Sequence, residues 1–310
     1  MARITARRRV TRITVGGPRQ RREDVLAAEE PLEIRVGGRS LAITMRTPGH
    51  DVDLAAGFLV SEGVIRHGDD FATARYCAGA TDEGLNTYNV LDVTLAPGVA
   101  APDPSLERNF FTTSSCGICG KASIDAVRTL SHHEVRGDAF ELDASVLVTF
   151  PDRLREQQAV FEKTGGLHAA ALFDALTGEL LVLREDVGRH NAVDKVIGWA
   201  VKENLLPLRH TVLMVSGRAS FELTQKASMA GIPMLAAVSA PSSLAAELAS
   251  ELGMTLVGFL RGESMVVYSG AERIRSSDTD RRDENAPAPE PARARPDHPT
   301  PALSPTGATR

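Results

Sequence analysis

The segment "TVLMVSGRASFELTQKASMAGIPMLAAVSAPSSLAAELASELGMTLVGFLR", residues 211–261, decides the predicted fold. Short apolar runs alternate here with stretches whose apolar residues recur at the spacing of one helix face. Continuous apolar strands separated by amphipathic helices indicate a sheet that is covered on both faces and is largely parallel in this part. Ligands of open α/β sheets bind at the carboxyl ends of the strands. The segment therefore predicts an α/β fold with a ligand site at that edge.

Two loops in this segment join an apolar strand to a helix and are rich in hydroxyl groups. They are "VSGRASFE", residues 215–222, and "VSAPSSLAAE", residues 238–247. Oriented backbone amides and the helix dipole attract phosphate at such positions. A serine at a helix start is also an ordinary cap, and neither loop matches the P-loop or the dinucleotide fingerprint. A phosphate-bearing ligand and simple helix capping both remain open for these loops.

The sequence just before this segment alternates helix and strand. Residues 146–166 predict a helix that a glycine pair ends, and residues 167–186 predict a hairpin. "REDVGRHNAVDK", residues 184–195, begins at a strand end and opens an amphipathic helix. It holds more hydrogen-bond donors than a helix start needs, which favours a polar binding site. His168, in apolar "GGLHAAAL", fits either a core histidine or a functional one.

A smaller α+β domain is predicted over residues 25–109. "PLEIRVGGRSLAITMRT", residues 31–47, alternates apolar and polar side chains around Gly37 and Gly38 and predicts a hairpin. The rest of this domain is predicted as a helix over residues 48–65, strands near residues 72–77 and 86–95, and a proline-rich linker over residues 96–109.

The α/β domain is predicted over residues 110–275, and the two ends of the chain lie outside both domains. Residues 1–24 are predicted to be a flexible basic arm, because arginines dominate them and isolated charge runs are usually solvated tails. Residues 276–310 are rich in proline, alanine and charge. They cannot bury enough surface to offset their ordering entropy, so we expect a disordered tail.

Composition excludes several classes of protein. The net charge of −5 gives no global attraction to nucleic acid, and no run of eighteen apolar residues predicts a membrane span. The N-terminal arginines have no apolar stretch behind them, so no secretory signal is predicted. Three cysteines are too few for a disulfide framework, and the expected compartment is a reducing cytoplasm.

Two of the cysteines, Cys116 and Cys119, form a C-x-x-C pair in "FTTSSCGICGKASID", residues 111–125. A persulfide carrier fits this setting, because a helix start near Gly120 and the charge of Lys121 would favour a thiolate. A second thiol could attack such a persulfide and release the outer sulfur. A pair of small buried hydrophobes is the structural alternative, and Cys77 is expected to be a packed strand residue.

A zinc site and a thioredoxin-like dithiol fit the C-x-x-C pair less well. Zinc-dependent nucleobase deaminases combine H-x-E with P-C-x-x-C, but this chain has Ser115 in place of the proline and no H-x-E. Without a third ligand of suitable spacing no metal is predicted. A redox dithiol would be expected in a compact domain after an N-terminal strand, which is not the context here.

Four blocks together resemble the FdhD/NarQ family of formate dehydrogenase accessory sulfurtransferases. They are "SSCGICGKASID", "GGLHAAAL", "REDVGRHNAVDKVIG" and "VSGRASFELTQKASMAGIPMLAAVSAPSSLA", and the similarity covers about residues 25–275. The resemblance implies a three-layer core like that of cytidine deaminase. It also implies a cytoplasmic, homodimeric sulfur carrier that takes sulfur from a cysteine desulfurase. The sulfur is passed to the molybdenum cofactor, Mo-bis(molybdopterin guanine dinucleotide), before its insertion into formate dehydrogenase.

The resemblance also implies roles for residues of this chain. Cys116 would form the persulfide, and Cys119 would assist or resolve it. Arg218 and Ser220 are expected phosphate contacts. The family's cofactor-binding segment would comprise Phe259, Leu260, Arg261, Gly262, Glu263 and Ser264. Two alternatives are a cofactor-binding chaperone without covalent chemistry and a zinc-dependent deaminase-like hydrolase.

Overall fold

The computed structural model describes residues 3–77, 88–102 and 131–276. The predicted domain boundary at residue 109, the C-x-x-C pair and the predicted tail lie outside these residues, so those predictions stay predictions. None of the described helices is long and apolar enough to cross a membrane.

The described strands and helices follow the order expected for a mixed α/β protein. The strands are β1 Thr5–Ile13, β2 Arg19–Ala27, β3 Glu30–Val36, β4 Arg39–Arg46, β5 Phe71–Tyr76, β6 Val90–Leu95, β7 Leu142–Asp143, β8 His168–Asp174, β9 Leu180–Asp186, β10 Thr211–Val215, β11 Met234–Ala237, β12 Thr255–Arg261, β13 Ser264–Ser269 and β14 Ile274–Arg275. The helices are α1 Asp51–Ser61, α2 Ala144–Leu147, α3 Phe150–Glu156, α4 Ala159–Thr164, α5 Arg189–Lys202, α6 Phe221–Met229 and α7 Ser243–Leu252.

A six-stranded sheet in the order β13-β12-β11-β10-β8-β9 forms the centre of the molecule. β10, β11 and β12 are parallel, and the outer pairings are antiparallel. The parallel centre and the β8–β9 hairpin confirm the prediction from residues 167–261. Successive apolar residues of these strands point to opposite faces, so the sheet is buried on both sides.

Each face of this sheet packs against helices. One core contains Leu213 and Leu235 together with residues of α1, α5, α6 and α7, and it also contains residues of β3, β4 and β6. The other core contains Phe173 and Met214 with residues of α2 and α3. In this second core the rings of Phe150 and Phe173 stack with centroids 3.9 Å apart. The α/β architecture therefore has helices on both sides of its main sheet.

The N-terminal half contributes a second sheet in the order β4-β3-β6-β5. The predicted hairpin is confirmed, because β3 and β4 pair antiparallel. Gly37 and Gly38 both adopt the left-handed conformation that its turn requires. Helix α1 packs on α5, and a glycine of each helix, Gly57 and Gly198, lies directly against the backbone of the other. This contact places α1 in the same core as the main sheet.

Two predicted segments have a different secondary structure. The helix predicted over residues 146–166 is three short helices, α2 to α4. Pro151, at the start of α3, has no amide hydrogen to continue α2, which explains the first of the two breaks. The basic arm predicted over residues 1–24 pairs as the antiparallel hairpin β1–β2. Its arginines, several of them consecutive, point to both exposed faces of a ribbon, and the flexibility of the segment remains a prediction.

Candidate functional site

A cleft of about 690 Å³ lies at the carboxyl edge of the parallel strands. Ser216 and Val238 line it directly after β10 and β11, and Arg261 lines it at the end of β12. The opposite wall comes from α3, α4 and the glycine pair that follows them. The position agrees with the ligand site that the parallel strands predict.

The cleft combines cationic, aromatic and acidic side chains. The guanidinium of Arg155 lies 4.3 Å from the ring centroid of Phe161, and both residues line the cleft. The guanidinium of Arg261 lies 6.0 Å from the Phe259 ring. Asp152 adds one carboxylate to the wall. Two arginines, each near a different aromatic ring, can bind a phosphate group and stack on a planar base.

His168 lies in the cleft wall as the first residue of β8. Burial lowers the pKa of His168, and the nearby charges of Arg189 and His190 lower it further. The imidazole is therefore neutral near neutral pH and offers one donor and one acceptor. Beside it, the Ser216 hydroxyl accepts the backbone N–H of Ala169 at 2.9 Å. Of the two alternatives for His168, the structure supports a position at the candidate site.

The starts of α5 and α6 lie next to this wall. His190 Nε2 is 2.7 Å from Glu222 Oε2, which joins the first turns of the two helices. The contact with His190 lowers the pKa of Glu222, so the carboxylate stays ionised. We call His168, Arg189, His190, Ser220 and Glu222 the polar cluster.

Other residues of the "REDVGRHNAVDK" block are structural. Lys195 Nζ lies 2.6 Å from Asp186 Oδ2, and both side chains are buried. Asp186 also accepts the side-chain N–H of Asn191 and the backbone N–H of Thr47. These groups anchor the connection between β4 and α1. The polar binding site stays a prediction, and within the block only Arg189 and His190 belong to the polar cluster beside the cleft wall.

The structure divides the predicted cofactor-binding residues. Arg261 and Gly262 line the cleft, whereas Leu260 is fully buried in the second core and its side chain is not available to a ligand. Arg218 is exposed, and Ser220 precedes α6 as its N-cap. Phe259 is placed with φ of 52° and its ring near Arg261. Glu263 and Ser264 are exposed in the turn after β12 and at the start of β13.

Arg155 and Phe161 are cleft residues that the sequence analysis missed. A prediction of one continuous helix over residues 146–166 does not show that α3 and α4 are separate helices whose side chains form a wall of the cleft. The signal that could have found them is Pro151 within the apolar pattern. Cys116 and Cys119 lie outside the described residues. Among the residues that the structure does describe, no group of three His, Cys, Asp or Glu side chains is arranged to hold a metal ion.

Comparisons with known proteins agree with this fold and with the sequence blocks. The model of the FdhD/NarQ family matches residues 27–275. The "Sulfur carrier protein FdhD" of Streptomyces avermitilis is 63% identical over 88% of this chain and 97% of its own length. The protein of the same description from Mycolicibacterium paratuberculosis is 60% identical over 87% of this chain and 99% of its own.

A solved structure has the same fold. It is the crystal structure of a putative formate dehydrogenase accessory protein from Desulfotalea psychrophila, with a TM-score of 0.69 and 24% sequence identity. The match covers 88% of this chain and all of that one. The extent of the family match and the identity of its curated relatives show that this chain belongs to the FdhD/NarQ family.

Proposed function

We propose that this protein is a sulfur carrier that transfers sulfur through a persulfide on Cys116. The observation that carries the proposal is the identity of more than half of the residues with relatives described as sulfur carrier proteins, over nearly their whole length. The C-x-x-C pair supplies a nucleophile, and the cleft at the carboxyl edge of the main sheet supplies a place for the sulfur acceptor.

The chemistry balances with groups of this chain and one donor. The thiolate of Cys116 attacks the terminal sulfur of a persulfide on a cysteine desulfurase, and the desulfurase cysteine leaves as a thiolate. The sulfur is then held as Cys116–S–SH. The thiol of Cys119 can attack the inner sulfur, forming the Cys116–Cys119 disulfide and releasing the outer sulfur as hydrogen sulfide. The two electrons for that release come from the two cysteine sulfurs.

Side chains of the cleft have the chemistry to bind parts of the proposed sulfur acceptor, Mo-bis(molybdopterin guanine dinucleotide). Arg155 and Arg261 can bind its phosphates, and Phe161 offers a face for a planar ring. Asp152 can accept hydrogen bonds from the N–H groups of a base. The sulfurated cofactor would pass to formate dehydrogenase. We place the carrier in the cytoplasm, as a homodimer.

Loading of Cys116 tests the proposal. After incubation with a purified cysteine desulfurase and cysteine, we expect the intact protein to gain the mass of one sulfur atom. The gain should disappear in Cys116→Ala and persist in Cys77→Ala, the matched control. If the wild-type protein gains no sulfur, the carrier proposal is wrong. The alternative of a cofactor-binding chaperone without covalent chemistry would then be favoured.

The cleft makes a separate prediction about ligand binding. We expect Arg261→Gln to weaken the binding of guanosine diphosphate, which reproduces one end of the cofactor, by about tenfold, because a charge-assisted hydrogen bond to phosphate is lost. Calorimetric titration measures the change. Arg75→Gln is the control, since Arg75 lies on the N-terminal sheet and is mostly exposed. Equal affinity in both variants would place the nucleotide elsewhere.

A further inference from the structure

We propose that the polar cluster is a phosphate-binding subsite that extends the cleft past His168 and Ser216. The assignment of this phosphate to the proposed cofactor rests on the proposed function. The subsite itself rests on the geometry of the cluster.

The cluster is assembled from three separate elements of the fold. His168 begins β8, Arg189 and His190 begin α5, and Glu222 lies in the first turn of α6. Three observations place them together: the short His190–Glu222 contact, the effect of Arg189 on the pKa of His168, and its effect on the pKa of Glu222. A Cβ at Gly217 would lie 3.5 Å from His168 Nδ1, so the β10–α6 loop passes the same ring.

Two donors of this cluster are shielded from solvent without a partner. Arg189 Nε and Ser220 Oγ each expose less than 1 Å² and form no hydrogen bond with the described residues. Buried polar groups in folded proteins are nearly always paired, and an unpaired one destabilises by about 1–3 kcal/mol. An oxygen-rich ligand held between the two donors would satisfy both of them.

The helix starts add further attraction for an anion. Neither Gly188, the N-cap of α5, nor Ser220, the N-cap of α6, makes a side-chain cap hydrogen bond. The N-cap residues therefore provide no side-chain acceptor for the first-turn N–H groups of either helix, and the helix dipoles favour negative charge there. The unpaired donors, and not the helix ends alone, are the reason for assigning a ligand.

The charges of the cluster leave one cation for the ligand. Glu222 opposes an anion, but His190 Nε2 lies 2.7 Å from its carboxylate, which therefore has a close neighbour within the protein. His190 Nε2 and Glu222 Oε2 are close, although they are not aligned for a hydrogen bond. Lys226, which also lies near Glu222, is paired with Asp194. The guanidinium of Arg189 has no ion-pair partner among the described residues and remains to bind the ligand.

A phosphate suits this arrangement better than a carboxylate. The donors come from β8, α5 and α6 and so approach from different directions, which matches the tetrahedral oxygens of phosphate. A planar carboxylate presents two oxygens in one plane. Because His168 and Ser216 line the cleft, the subsite and the cleft together can hold a diphosphate with its attached nucleoside.

Calorimetric titration of the full chain with inorganic pyrophosphate tests the subsite. We expect Arg189→Gln to weaken pyrophosphate binding about tenfold or more, and Ser220→Ala to weaken it several-fold, because each loses a hydrogen bond to a charged group. The matched control is Arg75→Gln, whose mostly exposed cation lies on the N-terminal sheet and whose effect on pyrophosphate should be small. Arg189→Lys keeps the charge and removes Nε, so it reports on the unpaired donor if Arg189→Gln fails to fold.

Guanosine diphosphate distinguishes the two sources of the phosphate. If Arg189→Gln weakens the binding of both pyrophosphate and guanosine diphosphate, the subsite binds the diphosphate of a nucleotide. If it weakens the binding of pyrophosphate alone, the subsite binds free phosphate. Both results support the proposal. Unchanged pyrophosphate affinity in Arg189→Gln and Ser220→Ala, or no binding by the wild type, would overturn it. Sulfur loading of Cys116 should be unaffected by either variant, so failure of this proposal leaves the carrier function testable.

Discussion

Alanine at Gly57 is expected to destabilise the protein by at least about 3 kcal/mol, beyond the usual range for an over-packed core. A Cβ at this position in α1 would overlap the carbonyl group of Asp194 in α5 and approach the Gly198 nitrogen to 2.8 Å. The obstacle is backbone, so no side-chain rotation relieves it and the two helices must move apart. Urea unfolding followed by circular dichroism measures the change in the free energy of unfolding.

Gly198 and Gly137 provide a reciprocal variant and a control. A Cβ at Gly198 would overlap the backbone of Asp53, so Gly198→Ala should be as destabilising as Gly57→Ala. The double variant should lose less stability than the sum of the losses in the two single variants, because one separation of the helices relieves both overlaps. Gly137→Ala should stay within about 0.5 kcal/mol, since its new Cβ meets nothing within 4 Å. A neutral Gly57→Ala would mean that α1 and α5 do not pack this closely in solution.

The sequence could predict those elements whose signal is local. The β3–β4 hairpin follows from alternation around a glycine pair, and the strands β10 to β12 follow from apolar runs between amphipathic helices. The Gly57–Gly198 contact has no such signal, because it joins helices that are far apart in the chain. The apolar spacing of residues 146–166 is continuous and predicts one helix, but Pro151 starts a new helix within it.

Only part of the candidate site could be predicted from the sequence, as with the fold. The carboxyl edge of the parallel strands and Arg261 could be placed from the pattern and the family resemblance. The wall containing Arg155 depends on how α3 and α4 fold back over that edge, which no periodicity shows. In the polar block after β9, Lys195 and Asp186 resemble binding residues in sequence, but tertiary packing turns them toward each other. Only the fold distinguishes a buried ion pair from a ligand contact.

The buried carboxylate of Asp53 leads to the second large effect on stability. Asp53 lies in α1 with 1% of its side chain exposed, 3.0 Å from Arg184 and 2.6 Å from Lys202. Burial raises the pKa of Asp53, but hydrogen bonds from His50, Lys202 and Arg184 outweigh it and hold the pKa well below its usual range. The carboxylate therefore joins α1 to β9 and to the end of α5 as a charged group.

Replacing Asp53 by asparagine should lower the free energy of unfolding by about 3 kcal/mol at neutral pH. This is the lower end of the range for breaking a buried ion pair, because Lys202 is 44% exposed and can be hydrated again. A group whose pKa is lower in the folded state stabilises the protein above its unfolded pKa, about 3.9, and loses this effect as the pH falls through the folded value. The difference between wild type and Asp53→Asn should thus be constant from about pH 7 to 5 and shrink below about pH 4.

Urea unfolding of both proteins across this pH range provides the measurement, with Asp24→Asn as the control. Asp24 pairs with Arg22 at 3.1 Å on the exposed β1–β2 hairpin, where an ion pair contributes about 0–1 kcal/mol. The control should therefore show little change in stability at any pH. If the stability difference for Asp53→Asn were absent at neutral pH, or persisted unchanged in acid, the charged carboxylate could not be the group that holds α1 against β9 and α5.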